Sequence, residues 1–239
     1  MGFAVFLDRD GVINIDSPDY IKSENEFHFI PGSTDAIALL TEAGCDVFVI
    51  TNQSAVGRGM ITKGELDIIF AKMKEGVTRA GGRINDIFYC PHTPDDACLC
   101  RKPLPGMIFQ AVEKHGINLS FSVMVGDSVK DIECARKAGC AAAVLVLTGN
   151  GQKSMTALEK KGTPPDMMAA DLMEAAQWII AHLPDLSNMS YQSCVSDEFT
   201  MSEQFNVSNQ LSASKRSNPS CLSKVPDISK LSGQDFQSR

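Results

Sequence analysis

The sequence predicts an α/β protein built on a doubly wound parallel sheet. Short runs that are apolar at nearly every position alternate with longer stretches of helical periodicity. Unbroken apolar runs suit strands covered by helices on both faces. Their alternation with helices implies parallel strands joined by right-handed crossovers. Polar residues gather where the runs end, the edge at which open sheets of this kind place their sites.

The strands are expected at Phe3–Asp8, Asp46–Thr51, Asp86–Tyr89, Ser122–Gly126 and Ala142–Leu147. The first helix, Ser33–Ala43, carries Ala36, Ile37, Leu39 and Leu40 and stops at Gly44, a residue suited to the left-handed C-cap. The second, Thr62–Ala80, opens with Thr62 and Glu65 at capping-box spacing. It lines up Leu66, Ile69, Phe70, Met73 and Val77 on one face. Helices follow at Gly106–Lys114 and Val129–Ala138, the latter ending at Gly139. Past Gly149 the pattern weakens to a helix over Gln152–Lys161, a short edge strand over Asp166–Ala169 and a helix over Leu172–Leu183. From Asp185 onward serine recurs with Asn and Gln, and apolar residues stand alone. The chain thus divides into a folded domain, 1–184, and a Ser/Asn/Gln-rich tail, 185–239, expected to be disordered.

A chain of 239 residues suffices for one such domain. The net charge of -7 argues against general nucleic-acid binding, which needs a basic surface. The apolar run after Met1 is short, lacks a basic flank and ends in Asp8, so it does not read as a secretory signal. Phe6 occupies the position where a myristoylation motif wants Ser or Thr. A cytoplasmic location, no membrane association and a monomeric state are expected. In a reducing compartment, clustered cysteines are better read as metal ligands than as disulfides.

Cys90, His92, Cys98 and Cys100 form such a cluster, C-x-H-x5-C-x-C. Three thiolates and an imidazole complete a tetrahedral zinc shell with no open position, which makes the site structural. Cys100 directly precedes Arg101-Lys102, so a fixed loop over 90–103 would aim two cations. Cys45, Cys134 and Cys140 fall in helix or strand contexts and read as small core residues.

The strand ends carry the chemistry. Asp8 and Asp10 follow the first run and would project to the same side if the strand persists to Asp10. Two carboxylates held together call for a cation or a shared proton. Thr51 ends the second run, Asp127 the fourth, and Asp131 lies one helical turn beyond. Each has an ordinary structural alternative, from a strand-end hydroxyl to a helix cap; their joint placement argues for phosphoryl transfer. Asp8 would be the nucleophile and Asp10 the acid and base. Mg²⁺ would be held by Asp8, Asp127 and the backbone carbonyl of Asp10. Thr51 and Lys102 would bind the non-bridging phosphate oxygens. Asp131 would orient Lys102 or a metal-bound water, and Gly11 would let the backbone turn away.

Asp8-Arg9-Asp10-Gly11, Thr51-Asn52-Gln53, Lys102 and Gly126-Asp127-(x3)-Asp131 resemble the four motifs of the haloacid dehalogenase-like phosphatases. Cys-Pro-His…Cys-x-Cys-Arg-Lys-Pro resembles that superfamily's zinc-loop subgroup, whose members act on a heptose bisphosphate or on histidinol phosphate. The resemblance spans about Gly2 to Leu183. It implies a Rossmann-like sheet without a large cap domain. The stretches Thr51–Thr62, Gly11–Asp16 and Arg101–Met107 side with the heptose branch. The implied reaction is removal of the 7-phosphate from D-glycero-D-manno-heptose 1,7-bisphosphate, in nucleotide-activated heptose biosynthesis toward lipopolysaccharide. Histidinol phosphate as substrate, and a non-catalytic binding module, are the alternatives. By the same resemblance Asp16, Ser17, Tyr20, Asn52, Gln53, Ser54 and Arg101 would contact the sugar or its second phosphate. Two departures are Ser128, where some relatives have lysine, and a segment from Asp16 to Tyr20 one residue longer than in some.

Overall fold

The computed structural model describes residues 2–193. In chain order its elements are β1 (Ala4–Leu7), α1 (Ser33–Glu42), β2 (Asp46–Asn52), α2 (Ser54–Gly57), α3 (Lys63–Arg79) and β3 (Asp86–Cys90). They continue with α4 (Gly106–His115), β4 (Ser122–Gly126), α5 (Val129–Ala138), β5 (Ala142–Val146), α6 (Gly151–Lys161), β6 (Met167–Ala169) and α7 (Leu172–Ser193). The strands form one six-stranded sheet of order β3-β2-β1-β4-β5-β6, every neighbouring pair parallel. Strand order reverses at β1, between β2 and β4, so the C-terminal ends of β1 and β4 open the crevice that holds ligands in such sheets.

The period of two along each strand divides the core into two layers. Val5, Leu7, Val47, Val49, Val123, Val125, Val144 and Val146 pack with α1, α3 and α7. Ala4, Phe6, Phe48, Ile50, Met124, Ala143 and Leu145 pack with α4, α5 and Leu158 of α6. Both faces of the sheet are therefore dry, which is why its strands read as apolar at every position. No described helix is long and apolar enough to cross a membrane.

Three local outcomes differ from the sequence reading. β1 stops at Leu7, because the Arg9 carbonyl accepts the amides of Val12, Ile13 and Asn14 and folds the chain back. Asp8 and Asp10 are thus not strand neighbours on one face; the bend at Arg9 and Gly11 (φ 79°) separates their surroundings. A short helix, α2, forms where none was expected. The last helix runs past its expected end at Leu183 to Ser193, and the rest of the expected tail, 194–239, lies outside the described residues.

Leu40 on α1 is wholly buried in the layer shared by α1, α3 and α7. Leu40→Ala should lower unfolding free energy by about 3 kcal/mol. The check is a lower urea midpoint at unchanged m-value.

Candidate active site

Lys102 lies at the centre of the crevice. Its side chain is 2 % exposed, and its ammonium meets three oxygens: Asp8 Oδ2 at 2.8 Å, Asp131 Oδ1 at 2.6 Å and the Ile50 carbonyl at 2.9 Å. Those partners come from the end of β1, the first turn of α5 and the body of β2. Its backbone is held as firmly: Asn52 Oδ1 accepts the Lys102 amide at 3.1 Å, and Asn52 Nδ2 donates to the Lys102 carbonyl at 3.2 Å. Burial works against the charged amine, but Asp131 and Asp8 outweigh it and raise its pKa.

Asp131 serves two structures. Its Oδ2 accepts the Ser128 amide at 3.0 Å and the Ser128 hydroxyl at 2.6 Å, closing a capping box at the start of α5. Its Oδ1 faces Lys102. Gly126 permits this, because a Cβ there would overlap the Asp131 side chain.

Asp10 is held separately. Arg9, 1 % exposed, grips both its oxygens, with Nη2 at 2.7 Å and 2.9 Å and Nε at 3.1 Å. Asn14 Nδ2 donates to Oδ1 at 3.0 Å and Gln53 Nε2 to Oδ2 at 2.8 Å. Burial pushes the Asp10 carboxyl up, but the Arg9 charge and these hydrogen bonds win and hold it below the ordinary value. Gln53 Nε2 also donates to Thr51 Oγ1 at 2.9 Å, so one amide ties the general acid candidate to the hydroxyl at the end of β2.

Asp8, Asp127 and Asp131 bring carboxylate oxygens within 4.8 Å of one another. Together with Lys102 they leave two negative charges uncompensated. Burial, with Asp131 and Asp127 nearby, pushes Asp8 up to about 8 against the pull of Lys102. Burial and Asp131 push Asp127 up to about 7. An all-oxygen donor set short of two positive charges fits a hard divalent cation. Asp127 Oδ2 accepts the Asn150 amide at 2.7 Å, and its Oδ1 takes no hydrogen bond among the described residues.

Cys90, His92, Cys98 and Cys100 also converge. Sulfur–sulfur separations are 3.3–3.5 Å, and His92 Nδ1 lies 3.2 Å from Cys100 Sγ and 3.5 Å from Cys90 Sγ. A tetrahedral zinc shell with Zn–S bonds of about 2.3 Å has edges of roughly 3.8 Å, close to this spacing. The Cys100 contact lowers Cys90 to about 5 and pushes Cys100 up. The group could hold a metal ion.

The remaining expected substrate contacts fall around the crevice. Asp16 and Ser17 lie on the loop after β1, where the Ser17 amide donates to Asp16 Oδ1 at 2.8 Å. Tyr20 closes that loop in the left-handed region (φ 65°), a strained choice for a side chain of its size. Ser54 is buried at the start of α2, and Arg101 Nη1 donates to the His92 carbonyl at 3.0 Å. Asn52 and Gln53 spend their amide donors inside the protein. The sequence reading gave no individual role to Arg9, Asn14 or Asn150. Arg9 was legible as a cation between two acids, and Asn150 as a polar residue beyond the end of β5.

Asp8 on the buried Lys102, Asp10 clamped by Arg9 and an acidic cluster that could hold a metal ion stand together at the switch point of a parallel sheet, the arrangement a haloacid dehalogenase-type phosphotransfer site requires. The family model described as HAD-hydrolase-like matches residues 99–175. The D-glycero-beta-D-manno-heptose-1,7-bisphosphate 7-phosphatase of Pseudomonas aeruginosa is 48% identical over 159 residues, covering 66% of this chain and 89% of that protein. That of Yersinia pestis is 36% identical over 190 residues, covering 77% and 92%. The D,D-heptose 1,7-bisphosphate phosphatase structure from Bordetella bronchiseptica, complexed with magnesium and phosphate, superimposes with a TM-score of 0.70 at 41% identity, covering 76% of this chain and 99% of that one. The chain belongs to the haloacid dehalogenase-like phosphatases, in the branch that holds the heptose-bisphosphate phosphatases.

A pH dependence follows from Asp8 and Asp127. Between the ordinary carboxyl pKa of 3.8 and their native values of about 8 and about 7, the native state holds protons that the unfolded state has released. Stability of the metal-free protein should therefore fall as pH rises through this window. Thermal melts in chelator from pH 5 to 9 should show Tm dropping by several degrees, and Asp127→Asn should flatten the lower part of the fall.

Proposed function

We propose that the protein is a Mg²⁺-dependent phosphatase that removes the 7-phosphate of D-glycero-D-manno-heptose 1,7-bisphosphate through an aspartyl-phosphate on Asp8. The observation that carries the reading is the Lys102 ammonium shared between Asp8 and Asp131, which fixes the nucleophile and leaves its carboxylate short of positive charge. Asp8 attacks phosphorus in line, and the bond from phosphorus to the C7 oxygen breaks. Asp10 gives the leaving alkoxide its proton. It then removes a proton from a water, which attacks phosphorus, releases inorganic phosphate and restores Asp8. At rest Asp10 is ionised by Arg9, Asn14 and Gln53. An arriving phosphate dianion raises its proton affinity, as a nearby like charge does for any carboxyl, and so equips it to act as the acid.

Lys102 and Thr51 receive the non-bridging oxygens, where charge gathers in the transition state. Asp8, Asp127 and the Asp10 carbonyl would hold Mg²⁺, which would supply positive charge against the phosphate. Asn52 and Gln53 act indirectly, by fixing Lys102 and Asp10. Arg101, Ser54 and the loop from Asp16 to Tyr20 face the rest of the substrate. Cys90, His92, Cys98 and Cys100 would hold a structural Zn²⁺, which would fix the loop from which Arg101 and Lys102 project.

With Mg²⁺, the purified protein should release one phosphate from the heptose bisphosphate, both anomers being tested, with kcat/KM above that for histidinol phosphate. Asp8→Asn should lower kcat by at least about 10⁴, in line with loss of a covalent nucleophile. A higher kcat/KM for histidinol phosphate would move the assignment to that substrate; equal activity in Asp8→Asn would end the enzyme reading. Cys98→Ser should lose bound zinc by elemental analysis and lower kcat by tenfold or more while Mg²⁺ still binds. Full activity in a zinc-free variant would separate the loop from the site.

A further inference from the structure

The loop after β5 lies against the catalytic residues, although none of the motifs reaches it. Thr148 Oγ1 donates to the Gly11 carbonyl at 2.6 Å, and a Cβ at either Gly11 or Gly149 would overlap Asp127 Oδ2. This glycine contact lets two loops close on one carboxylate. Asn150 then reaches in both directions. Its amide nitrogen donates to Asp127 Oδ2, and its side-chain Nδ2 lies 3.1 Å from Asp16 Oδ2 and 3.4 Å from Asp127 Oδ2. Beside this bridge is a cavity of about 390 Å³, lined by Ile15, Asp16, Ile30, Pro31, Thr148 and Asn150 among others.

We propose that Asn150 is a specificity-determining residue, which holds Asp16 toward this cavity so that the cavity takes the uncharged, hydroxyl-bearing part of the substrate. The inference rests on the sugar-phosphate reading and deepens it. Both oxygens of Asp16 are oriented, one by Asn150 Nδ2 and the other by the Ser17 amide. A carboxylate so held keeps lone pairs for hydroxyl donors. Ile15, Ile30 and Pro31 supply the apolar wall against which the carbon skeleton lies. A second phosphate does not suit this cavity, because Asp16 would repel it and no lysine or arginine lines the wall. The remote phosphate belongs on the side of Arg101.

The test compares kcat/KM for the heptose bisphosphate with that for p-nitrophenyl phosphate, which has no polyol. In Asn150→Ala the ratio of the two should fall about tenfold, through a raised KM for the bisphosphate. A role confined to folding would lower both activities together and leave the ratio where it was. Ile15→Ser, at a side chain 54% exposed, gives an independent variant should the first fold poorly, and should lower the same ratio. An active wild type with unchanged ratios in folded variants overturns the role of Asn150 alone. A wild type that cleaves p-nitrophenyl phosphate but not the bisphosphate sinks the substrate reading itself.

Discussion

The buried ammonium of Lys102 is the constraint around which the site is built. A lysine with almost no solvent contact must have its charge met inside the protein. Asp8, Asp131 and the Ile50 carbonyl meet it with three oxygens at 2.6–2.9 Å. That requirement fixes three elements relative to one another. It sets the end of β1 against the first turn of α5, brings both onto the flank of β2, and forces the loop after β3 to fold inward. The glycine at the end of β4 follows from the same demand, because Asp131 reaches Lys102 only where no Cβ stands in its way.

The charge pattern divides into two compartments. Asp10 is fully answered by Arg9, Asn14 and Gln53, and its carboxyl sits low. Asp8 and Asp127 are under-compensated, and theirs sit high. Pushing neighbouring carboxyls apart in proton affinity is how one cluster supplies both a ligand set and an acid–base group. The division depends on the bend at Arg9. Had β1 continued straight, Asp10 would share the surroundings of Asp8 and the two would titrate together.

Much of this was legible in the chain itself. β4 and α5 begin and end where the pattern placed them, because Gly126, Ser128 and Gly139 mark their limits in local chemistry. The cysteine–histidine cluster was readable from spacing. The bend after Leu7 was not, since it is made by amides three to five residues ahead bonding to one carbonyl, and side-chain periodicity carries no mark of that. The use of Asn52 was hidden for another reason. Its partner is the backbone of Lys102, fifty positions away, and a residue bonded to main chain leaves no signature in the type of its partner. Asn150 was missed because the apolar ladder fades just beyond it, although its place past the end of β5 satisfied the same strand-end rule that found Asp127.

The strand order has a consequence for how the enzyme comes into being. β1 precedes the other strands in the chain, yet it lies in the middle of the sheet, with Ala4 paired to Asp46 on one side and to Ser122 on the other. During synthesis Asp8 emerges well ahead of Asp131 on α5, with which it shares the Lys102 ammonium. Until β4 arrives, one edge of a four-residue strand of Ala, Val, Phe and Leu is left open, the kind of surface on which nascent chains associate. The docking of β4 against β1 closes that edge, and Asp131 of α5 completes the set of groups around Lys102 only a few residues later.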